Sequence, residues 1–392
     1  MGAMSVPAHP LSDLRVLDMA RVMAGPYSSR LLCDLGADVV KLEPPEGDIT
    51  RNWGETRNGL SGFYTQQNAG KRNICIDLKS PDGPEWVRRL ADRADVLIEN
   101  FRPGVMERLG LGYPTLRERN PGLVMLSVSG FGQNGPESQR QAYAPVIHAE
   151  AGYIARHAEM DGNAATDPIF SLADSYSALH GTIALLSALH LRERTGLGQH
   201  IDLCMLRAMV ATDDYSHHLL DDALPIERLG GQVLDAVGGP ILISGQWKLL
   251  WHVAKTNFGV TADEGANSEE KFANREAAVR AWVAAYQSRD ELKRDLEKSG
   301  LSWGDVRQTH EVLDSPTLKA SNLFAEIDDH GQGKRRVLQA PYEFSNASSG
   351  ARGPAPHRGE HNGQVLQEWL SLSAVEIESL EKEGTLLRDD QA

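Results

Sequence analysis

The apolar positions of residues 14–43 follow the period of a strand, then that of a helix, then that of a strand again. Pro26 is tolerated in a first helical turn and Gly36 suits a helix end, so the helix is expected between them. A strand–helix–strand unit of this kind holds its two strands parallel in one sheet. The positions that carry the pattern are Leu14, Val16, Leu17, Leu31, Leu32, Leu35, Val39, Val40 and Leu42.

The same alternation continues through the first half of the chain. Residues 74–78, 96–98 and 123–128 predict further strands, and residues 84–94 predict a helix with its apolar side chains on one side. Repeated strand and helix segments predict a doubly wound α/β domain with a parallel sheet. No G-x-G-x-x-G motif follows the first predicted strand, so NAD binding is not expected.

Residues 170–205 form the central segment of the chain, a long apolar helix followed by a turn and a strand. Leu179, Ile183 and Leu186 recur at helical spacing, and further leucines make the helix apolar on almost every side. A helix of this type is expected to be buried all round. Asp174 lies at its predicted start, where aspartate is a favoured N-cap, and capping is the simplest interpretation from residue type alone.

The composition changes near Asp221, and residues 228–240 are rich in glycine. Residues 240–244 predict a strand, residues 269–286 a helix, and residues 345–363 a connection rich in Gly, Pro and Ser. These signals predict a smaller α+β domain, followed by short closing helices. The expected division is residues 1–220 for the large α/β domain, 221–340 for the small domain, and 341–392 for a linker and C-terminal helices.

Composition and charge restrict the possible function classes. The formal net charge of −14 argues against nucleic-acid binding through bulk charge. The apolar runs are too short to span a bilayer, so no membrane partner is expected. The three cysteines have neither metal-ligand nor disulfide spacing, which favours a reducing, cytoplasmic setting and no metal cofactor. His217, His218, Asp221 and Asp222 match no known ligand signature, and an exposed polar helix is expected there.

Six sequence blocks occur in one order along the chain and together carry a family resemblance. They begin at Arg15 (RVLDMA), Ala24 (AGP), Leu35 (LGADVVKLE), Asn100 (NFRPG), Ser129 (SGFGQNGP) and Asp174 with its apolar helix. On these blocks the chain resembles the class III CoA-transferase family, also called the carnitine dehydratase/bile-acid-inducible family. The similarity is dense from about Leu11 to Val210 and looser afterwards.

The resemblance implies that Asp174 is a catalytic nucleophile rather than only a cap. The implied activity is that of an acyl-CoA:carboxylate CoA-transferase, which moves CoA between carboxylic acids by a ping-pong mechanism through an aspartyl-CoA thioester. Acyl-CoA and a small carboxylic acid are then the substrates. The resemblance also implies that the C-terminal tail returns to the large domain and that two subunits interlock as a homodimer.

Coenzyme A carries several phosphate groups, so basic residues near strand ends are candidate contacts. The basic candidates are Lys71, Arg72, Lys79, Arg102 and Arg108. The CoA contacts that the resemblance implies are Val22, Ala24, Ile76, Lys79, Asn100, Phe101, Arg108, Leu109 and Met205. Pro44 stands where some family members have an arginine after the strand-ending glutamate, and Arg51 is the candidate to replace that arginine.

Tyr143 resembles an aromatic residue near the acyl site of transferase members. Gly230-Gly231 loosely matches a substrate-binding glycine loop that could supply oxyanion donors, but an ordinary linker explains these glycines equally well. Racemase members have a histidine in place of Tyr143, which disfavours an α-methylacyl-CoA racemase or related isomerase. A non-catalytic CoA-binding protein is the alternative of another class. His148 is either a shifted proton carrier or, preferably, a core or capping histidine.

Overall fold

The computed structural model describes residues 9–214, 220 and 230–389. It divides into two compact units, one of Met1–His217 with Ser321–Ala392 and one of His218–Ala320. The boundaries of these units fall at 217/218 and 320/321, whereas the predicted domain boundaries are 220/221 and 340/341. The four residues of the predicted polar helix, His217, His218, Asp221 and Asp222, lie outside the described residues.

The first unit contains a six-stranded sheet in which all neighbouring strands are parallel. Two short strands, Thr56–Arg57 and Leu60–Ser61, form a separate antiparallel pair. The strands up to residue 204 are β1 (Arg15–Asp18), β2 (Asp38–Glu43), β3 (Thr56–Arg57), β4 (Leu60–Ser61), β5 (Arg72–Cys75), β6 (Val96–Glu99), β7 (Val124–Ser129) and β8 (His200–Cys204).

The strand order is β5-β2-β1-β6-β7-β8, so the winding of the chain reverses between β1 and β6. Leu17 of β1 pairs with Val40 on one side and with Leu97 on the other. The predicted doubly wound α/β fold is thereby confirmed. In such sheets ligands bind beyond the carboxyl ends of the strands at the reversal, which here means the loops after Asp18 and Glu99.

Helices cover both faces of this sheet, because alternate strand residues point to opposite sides. Leu17 and Leu97 pack in one apolar core, whereas Val16 and Val96 pack in the other. The helices up to residue 212 are α1 (Ala24–Asp34), α2 (Gly62–Asn68), α3 (Gly83–Ala91), α4 (Val105–Arg108), α5 (Tyr113–Arg119), α6 (Ala144–Glu150), α7 (Tyr153–Asp161), α8 (Leu172–Thr195) and α9 (Met205–Thr212).

The long helix α8 lies close to α1 and to the sheet. Gly181 permits this approach, since a Cβ atom there would lie 2.9 Å from Leu126 Cδ2 and 3.1 Å from Ser28 Oγ. The Ser28 hydroxyl also donates a hydrogen bond of 2.8 Å to the carbonyl oxygen of Ala178. Helix α8 and the strands it covers therefore form one rigid support for the residues at its N-terminus.

The prediction that α8 is buried all round is wrong for the single chain. Leu185 is fully buried, but the side chains of Leu179, Ile183 and Leu186 are 41%, 60% and 37% exposed. The helix covers the sheet with one side only, and no described part of the same chain covers its opposite side. His190 on the same helix is exposed as well.

The second unit is a small α+β arrangement with its own apolar core. Its three strands pair antiparallel with residues 241–244 in the middle, and Ile241 and Ile243 of that middle strand are fully buried. Its elements are β9 (Gly231–Leu234), β10 (Ile241–Ser244), α10 (Trp247–Phe258), α11 (Ser268–Ala284), α12 (Arg289–Lys298), β11 (Trp303–Asp305) and α13 (Pro316–Ala320).

The C-terminal part of the chain belongs to the first unit. The hairpin of β12 (Phe324–Asp328) and β13 (Lys334–Leu338) is followed by helices α14 (Asn362–Leu370) and α15 (Ala374–Lys382). Trp369 of α14 and Leu380 of α15 are buried in the same apolar core as Leu17, so the tail returns to the large domain as expected. Within the described residues, none of the helices combines the length and apolarity needed to cross a membrane.

Candidate active site

A pocket opens at the carboxyl edge of the sheet, at the reversal between β1 and β6. It is formed by the loops that follow β1, β6 and β7, by the loop before α6, and by the start of α8. The pocket brings together most of the residues proposed from sequence. Those that line it are Val22, Ala24, Asn100, Phe101, Arg102, Tyr143, Asp174 and Met205.

Asp174 lies in the first turn of α8, and its carboxylate faces this pocket. The N-cap of α8 is Ser171, so the prediction of Asp174 as the cap is wrong and its side chain is free for another role. Burial raises the pKa of Asp174 to about 6, although the neighbouring His148 and a hydrogen bond from the Ala24 amide act in the opposite direction. An ionised carboxylate here is poorly hydrated, which favours its reaction as a nucleophile.

The Ala24 amide is presented by a strained loop. Val22 has a φ of 68°, in the left-handed region that β-branched residues rarely adopt. Its amide donates to the Asp48 carboxylate at 3.2 Å and 3.4 Å, and Lys41 Nζ donates to the Ala20 carbonyl at 2.8 Å. Strain of this kind persists only where the surroundings fix the backbone, and it is frequent at ligand sites.

The two residues that fix this loop form a buried ion pair. Lys41 Nζ lies 3.1 Å from Asp48 Oδ2, and both side chains are fully buried. Burial opposes the ionisation of Asp48, but Lys41 and donors from Thr50 outweigh it and bring its pKa to about 2. The pair therefore stays charged at neutral pH and holds the segment from Ala20 to Val22 in place beneath the pocket.

The loop after β6 supplies the opposite wall of the pocket. Asn100 binds the backbone of Arg21 twice, by accepting from its amide and donating to its carbonyl, both at 2.8 Å. The Arg21 guanidinium lies 5.7 Å from the centre of the Phe101 ring, and Arg102 is exposed beside it. An aromatic ring with flanking guanidinium groups suits a ligand that combines a flat base with phosphates.

Beneath this loop, Glu99 ends β6 with its side chain almost fully buried. Its Oε2 accepts a hydrogen bond of 2.8 Å from the Phe101 amide. Burial raises the pKa of Glu99 to about 7, and hydrogen bonds from Ser127 and from Phe101 act in the opposite direction. The Phe101 backbone is therefore anchored from the interior of the sheet.

The loop before α6 completes the pocket with Tyr143, whose side chain is 65% exposed. Arg140 also lines it and was missed from the sequence, because an isolated arginine in a polar loop gives no signal. Its guanidinium lies 4.9 Å from the centre of the Phe131 ring and pairs with Glu137 at 2.8 Å and with Glu150. The pocket thus combines one candidate nucleophile with two aromatic rings, of Phe101 and Tyr143, and two guanidinium groups.

Four of the proposed CoA contacts do not line this pocket. Lys79 is 84% exposed and lies 3.5 Å from Glu46. Arg108 and Leu109 are at the end of α4 and just beyond it, and Ile76 is fully buried. Gly230 and Gly231, proposed as a substrate loop, lie in the second unit, where Gly231 begins β9.

Three basic residues considered as phosphate contacts have structural partners instead. Lys71 Nζ is fully buried and lies 3.0 Å from Asp18 Oδ2. Arg72 pairs with Asp38 and Glu368, and Arg51 is hydrogen-bonded to Glu43 and Tyr64 in the interior. Arg51 is therefore not available to replace the missing arginine at Pro44. No cluster of His, Cys, Asp and Glu suited to a metal ion occurs among the residues that the structure describes.

Comparison with known proteins gives a consistent result. The model of CoA-transferase family III matches residues 11–362. A succinate–glutarate CoA-transferase of Agrobacterium fabrum is 32% identical over 96% of this chain and 98% of its own. A succinyl-CoA–D-citramalate CoA-transferase of Chloroflexus aurantiacus is 30% identical over 96% of this chain and 98% of its own. A succinyl-CoA:mesaconate CoA-transferase of Haloarcula marismortui is 31% identical over 91% of this chain and 96% of its own.

Solved structures agree with these relatives. A CaiB/BaiF family protein from Brucella suis superposes with a TM-score of 0.79 at 32% identity, covering 92% of this chain and all of the other. A hypothetical protein from Mycobacterium tuberculosis gives a TM-score of 0.75 at 30% identity, and the superposition covers 91% of this chain and 99% of the other. Both likenesses extend over almost the whole chain.

Proposed function

The chain belongs to CoA-transferase family III, and we propose that it moves CoA between carboxylic acids through a covalent intermediate on Asp174. It is an acyl-CoA:carboxylate CoA-transferase, as its relatives are. The observation that carries the proposed mechanism is the position of the Asp174 carboxylate, poorly solvated at the pocket and held by the Ala24 amide. Tyr143 stands where racemase members of the family have a histidine, which argues against the racemase alternative, and the intact Asp174 argues against a non-catalytic CoA-binding protein.

The proposed reaction exchanges one carboxylate for another in balanced steps. The Asp174 carboxylate attacks the thioester carbonyl, forming a mixed anhydride and releasing the CoA thiolate. The thiolate then attacks the Asp174 carbonyl of the anhydride, which releases the donor acid and leaves an aspartyl-CoA thioester. An acceptor carboxylate repeats both steps in reverse order, so acyl-CoA leaves and Asp174 is regenerated. Gly230-Gly231 remain proposed oxyanion donors for these steps.

For CoA itself we propose two groups of contacts. Val22, Ala24, Asn100, Phe101, Arg102 and Met205 line the pocket and would hold the end of CoA nearest the thioester. Ile76, Lys79, Arg108 and Leu109 would contact its more distant parts, with Lys79 and Arg108 serving phosphate groups. Only the Ile76 backbone could take part, since its side chain is fully buried.

Replacing Lys79 or Arg108 by alanine is expected to raise KM for every acyl-CoA by a similar factor. A charge-assisted contact to phosphate is worth about tenfold or more in affinity, and it does not depend on the acyl group. Steady-state kinetics with a short and a long acyl-CoA measures the effect. Arg117→Ala is the matched control, since Arg117 is an exposed basic residue on α5 and is not one of the proposed CoA contacts. A penalty that changes strongly with the acyl chain would contradict the assignment.

We propose that the preferred acids are small dicarboxylates. The relatives are named for succinate, glutarate, citramalate and mesaconate, each of which carries a second carboxylate. Arg102 and Arg140 line the same pocket as Asp174, so one carboxylate can reach the thioester chemistry while the other meets a guanidinium. Glu137 and Glu150 partly neutralise Arg140, which leaves Arg102 as the stronger anchor.

A panel of acyl-CoA donors and acceptor acids, followed by mass spectrometry, tests both the activity and its substrate class. Succinate is expected to exceed butyrate, and glutarate to exceed valerate, by at least about tenfold in kcat/KM, because each pair differs chiefly in the second carboxylate. Equal rates within each pair would contradict the dicarboxylate proposal while leaving CoA transfer intact. Absence of transfer to every acid would contradict the activity itself.

We also propose that the protein acts as an interlocked homodimer in the cytoplasm. The exposed apolar side of α8, with Leu179, Ile183 and Leu186, supports an interface because apolar surface of this kind is normally covered. Cys33, Cys75 and Cys204 are free thiols in the interior, in keeping with a reducing compartment.

A further inference from the structure

Behind Asp174 lies a buried histidine that the proposed reaction does not use. His148 is on α6, and its side chain is 1% exposed. Its Nδ1 lies 2.8 Å from Asp167 Oδ1, and its Nε2 accepts a hydrogen bond of 3.2 Å from the Ala173 amide. Both ring nitrogens are therefore engaged, one with a carboxylate and the other with the backbone beside Asp174.

The Ala173 amide determines which tautomer the His148 ring adopts. An amide N–H can only donate, so Nε2 presents its lone pair and the ring proton is on Nδ1, where it points to Asp167. A carboxylate that binds one ring nitrogen sets which nitrogen accepts on the other side. The ring of Tyr153 packs beside His148, with 6.1 Å between the ring centres, and limits its rotation further.

The amide that His148 binds belongs to the first turn of α8. Amides in a first turn have no partner within the helix and need an acceptor from elsewhere. The side chain of the N-cap, Ser171, makes no capping hydrogen bond here, so His148 performs that task from a neighbouring helix. Asp174 is the next residue, and any movement of the Ala173 amide moves the Asp174 carboxylate relative to the Ala24 amide.

We propose that His148 and Asp167 are positioning residues for the nucleophile, with Asp167 orienting His148 and His148 fixing the turn that carries Asp174. This inference rests on the proposed role of Asp174. The pair does not line the pocket, so it acts on the rate of attack rather than on substrate affinity. These contacts fit the core or capping histidine that the sequence favoured rather than a shifted proton carrier, since the buried ring accepts from an amide in the first turn of α8.

The test compares His148→Leu, His148→Gln and Asp167→Ala by the rate at which an acyl-CoA donor loads CoA onto the protein in a single turnover. His148→Leu is expected to slow loading by roughly three- to tenfold, because it removes a buried hydrogen bond, with KM for acyl-CoA changed less than about twofold. Glutamine offers an acceptor to Ala173 and a donor to Asp167, so His148→Gln should restore most of the rate. Asp167→Ala should slow loading, and the double variant His148→Leu/Asp167→Ala should be no slower than His148→Leu alone.

Controls separate this inference from its premise. His190→Leu changes an exposed histidine near the C-terminal end of α8, the helix that carries Asp174, and should load at the normal rate. Loading on an Asp174→Ala protein would overturn the proposed nucleophile, whereas normal loading in His148→Leu with none in Asp174→Ala would overturn only the positioning role. If His148→Leu does not fold, the other two variants decide: a slow His148→Gln, or an Asp167→Ala as fast as the unaltered protein, would contradict the proposal.

Discussion

Replacing Asp174 by asparagine is expected to lower CoA transfer by at least about a thousandfold, because an amide does not attack a thioester. Asparagine has nearly the same shape as aspartate, so the pocket and the Ala24 contact should change little. The loss should appear in kcat and kcat/KM with every donor, since the covalent step is common to all of them. Asp174→Ala, which removes the side chain altogether, should be equally inactive.

The same asparagine variant is expected to be more stable than the unaltered protein above pH 6. The folded protein raises the pKa of Asp174 from 3.8 to about 6, so between these values it binds a proton that the unfolded chain releases. Stability therefore falls as pH rises from about 4 to about 6, by up to about 3 kcal/mol for a shift of this size. Asparagine carries no charge and removes this cost. The Asp174→Asn variant should unfold at a higher temperature than the unaltered protein at pH 8, and at nearly the same temperature at pH 4.

Asp82→Asn is the control for both measurements, because Asp82 is an exposed aspartate at the start of α3 and does not line the pocket. It should keep normal transfer and normal stability at either pH. The unaltered enzyme should itself lose kcat/KM as the pH falls through about 6, where Asp174 becomes protonated. Turnover close to normal in a folded Asp174→Asn or Asp174→Ala protein would contradict the nucleophilic role.

The sequence located the pocket because strand ends are visible in it. An apolar run that stops at Glu99 and continues with Asn100 and Phe101 marks the carboxyl end of a parallel strand, and such ends meet at one edge. The order of the strands was not readable, since it depends on pairings between distant segments. The hydrophobic pattern indicated the carboxyl edge of the sheet, and the family blocks indicated which residues at that edge belong to the candidate site.

The sequence-based candidates that the structure does not support are those whose partners lie far away in the chain. Lys71 has the charge expected of a phosphate ligand, but it is buried against Asp18, fifty-three positions earlier. Burial lowers the pKa of Lys71 to about 8, with Asp18 opposing the shift, which is the environment of a structural ion pair. Local charge gives no sign of such a partner.

Two features of the site had no sequence signal at all. Valine is a poor residue for the left-handed region, so nothing in the local sequence predicts that Val22 adopts it; the buried Asp48 imposes it. Similarly, the apolarity of α8 was visible, whereas the side of the helix left open at Ile183 depends on how it packs against α1 and the sheet. Both features are properties of the packed fold rather than of any segment.

Incubating the protein with an acyl-CoA donor and no acceptor is expected to attach CoA to Asp174. In the proposed reaction the first half ends when the donor acid leaves, and the aspartyl-CoA thioester has no partner until an acceptor carboxylate arrives. The intact protein should gain the mass of CoA less one water. Trapping with hydroxylamine or borohydride, followed by peptide mapping, should place the modification in the peptide that contains residues 171–176.

Survival of the adduct depends on how well water is excluded from it. Ala173 is fully buried and Ser175 is small, which leaves space for the thioester while the carboxylate of Asp174 stays poorly solvated. Addition of an acceptor acid should release the CoA as a new acyl-CoA at the rate of turnover, which shows that the adduct lies on the reaction path. Asp174→Asn is the control and should gain no mass.

The loading experiment also distinguishes a CoA-transferase from a racemase and from a non-catalytic CoA-binding protein. A racemase keeps its thioester intact while a proton moves, and a CoA-binding protein without activity forms no covalent bond. Exchange of solvent deuterium into the α-carbon of an acyl-CoA, without any mass added to the protein, would contradict the transferase mechanism and favour proton transfer. An adduct at a residue other than Asp174 would retain the ping-pong scheme but assign its nucleophile elsewhere. Because Asp174 combines a raised pKa with a place at the sheet reversal, the adduct is expected there.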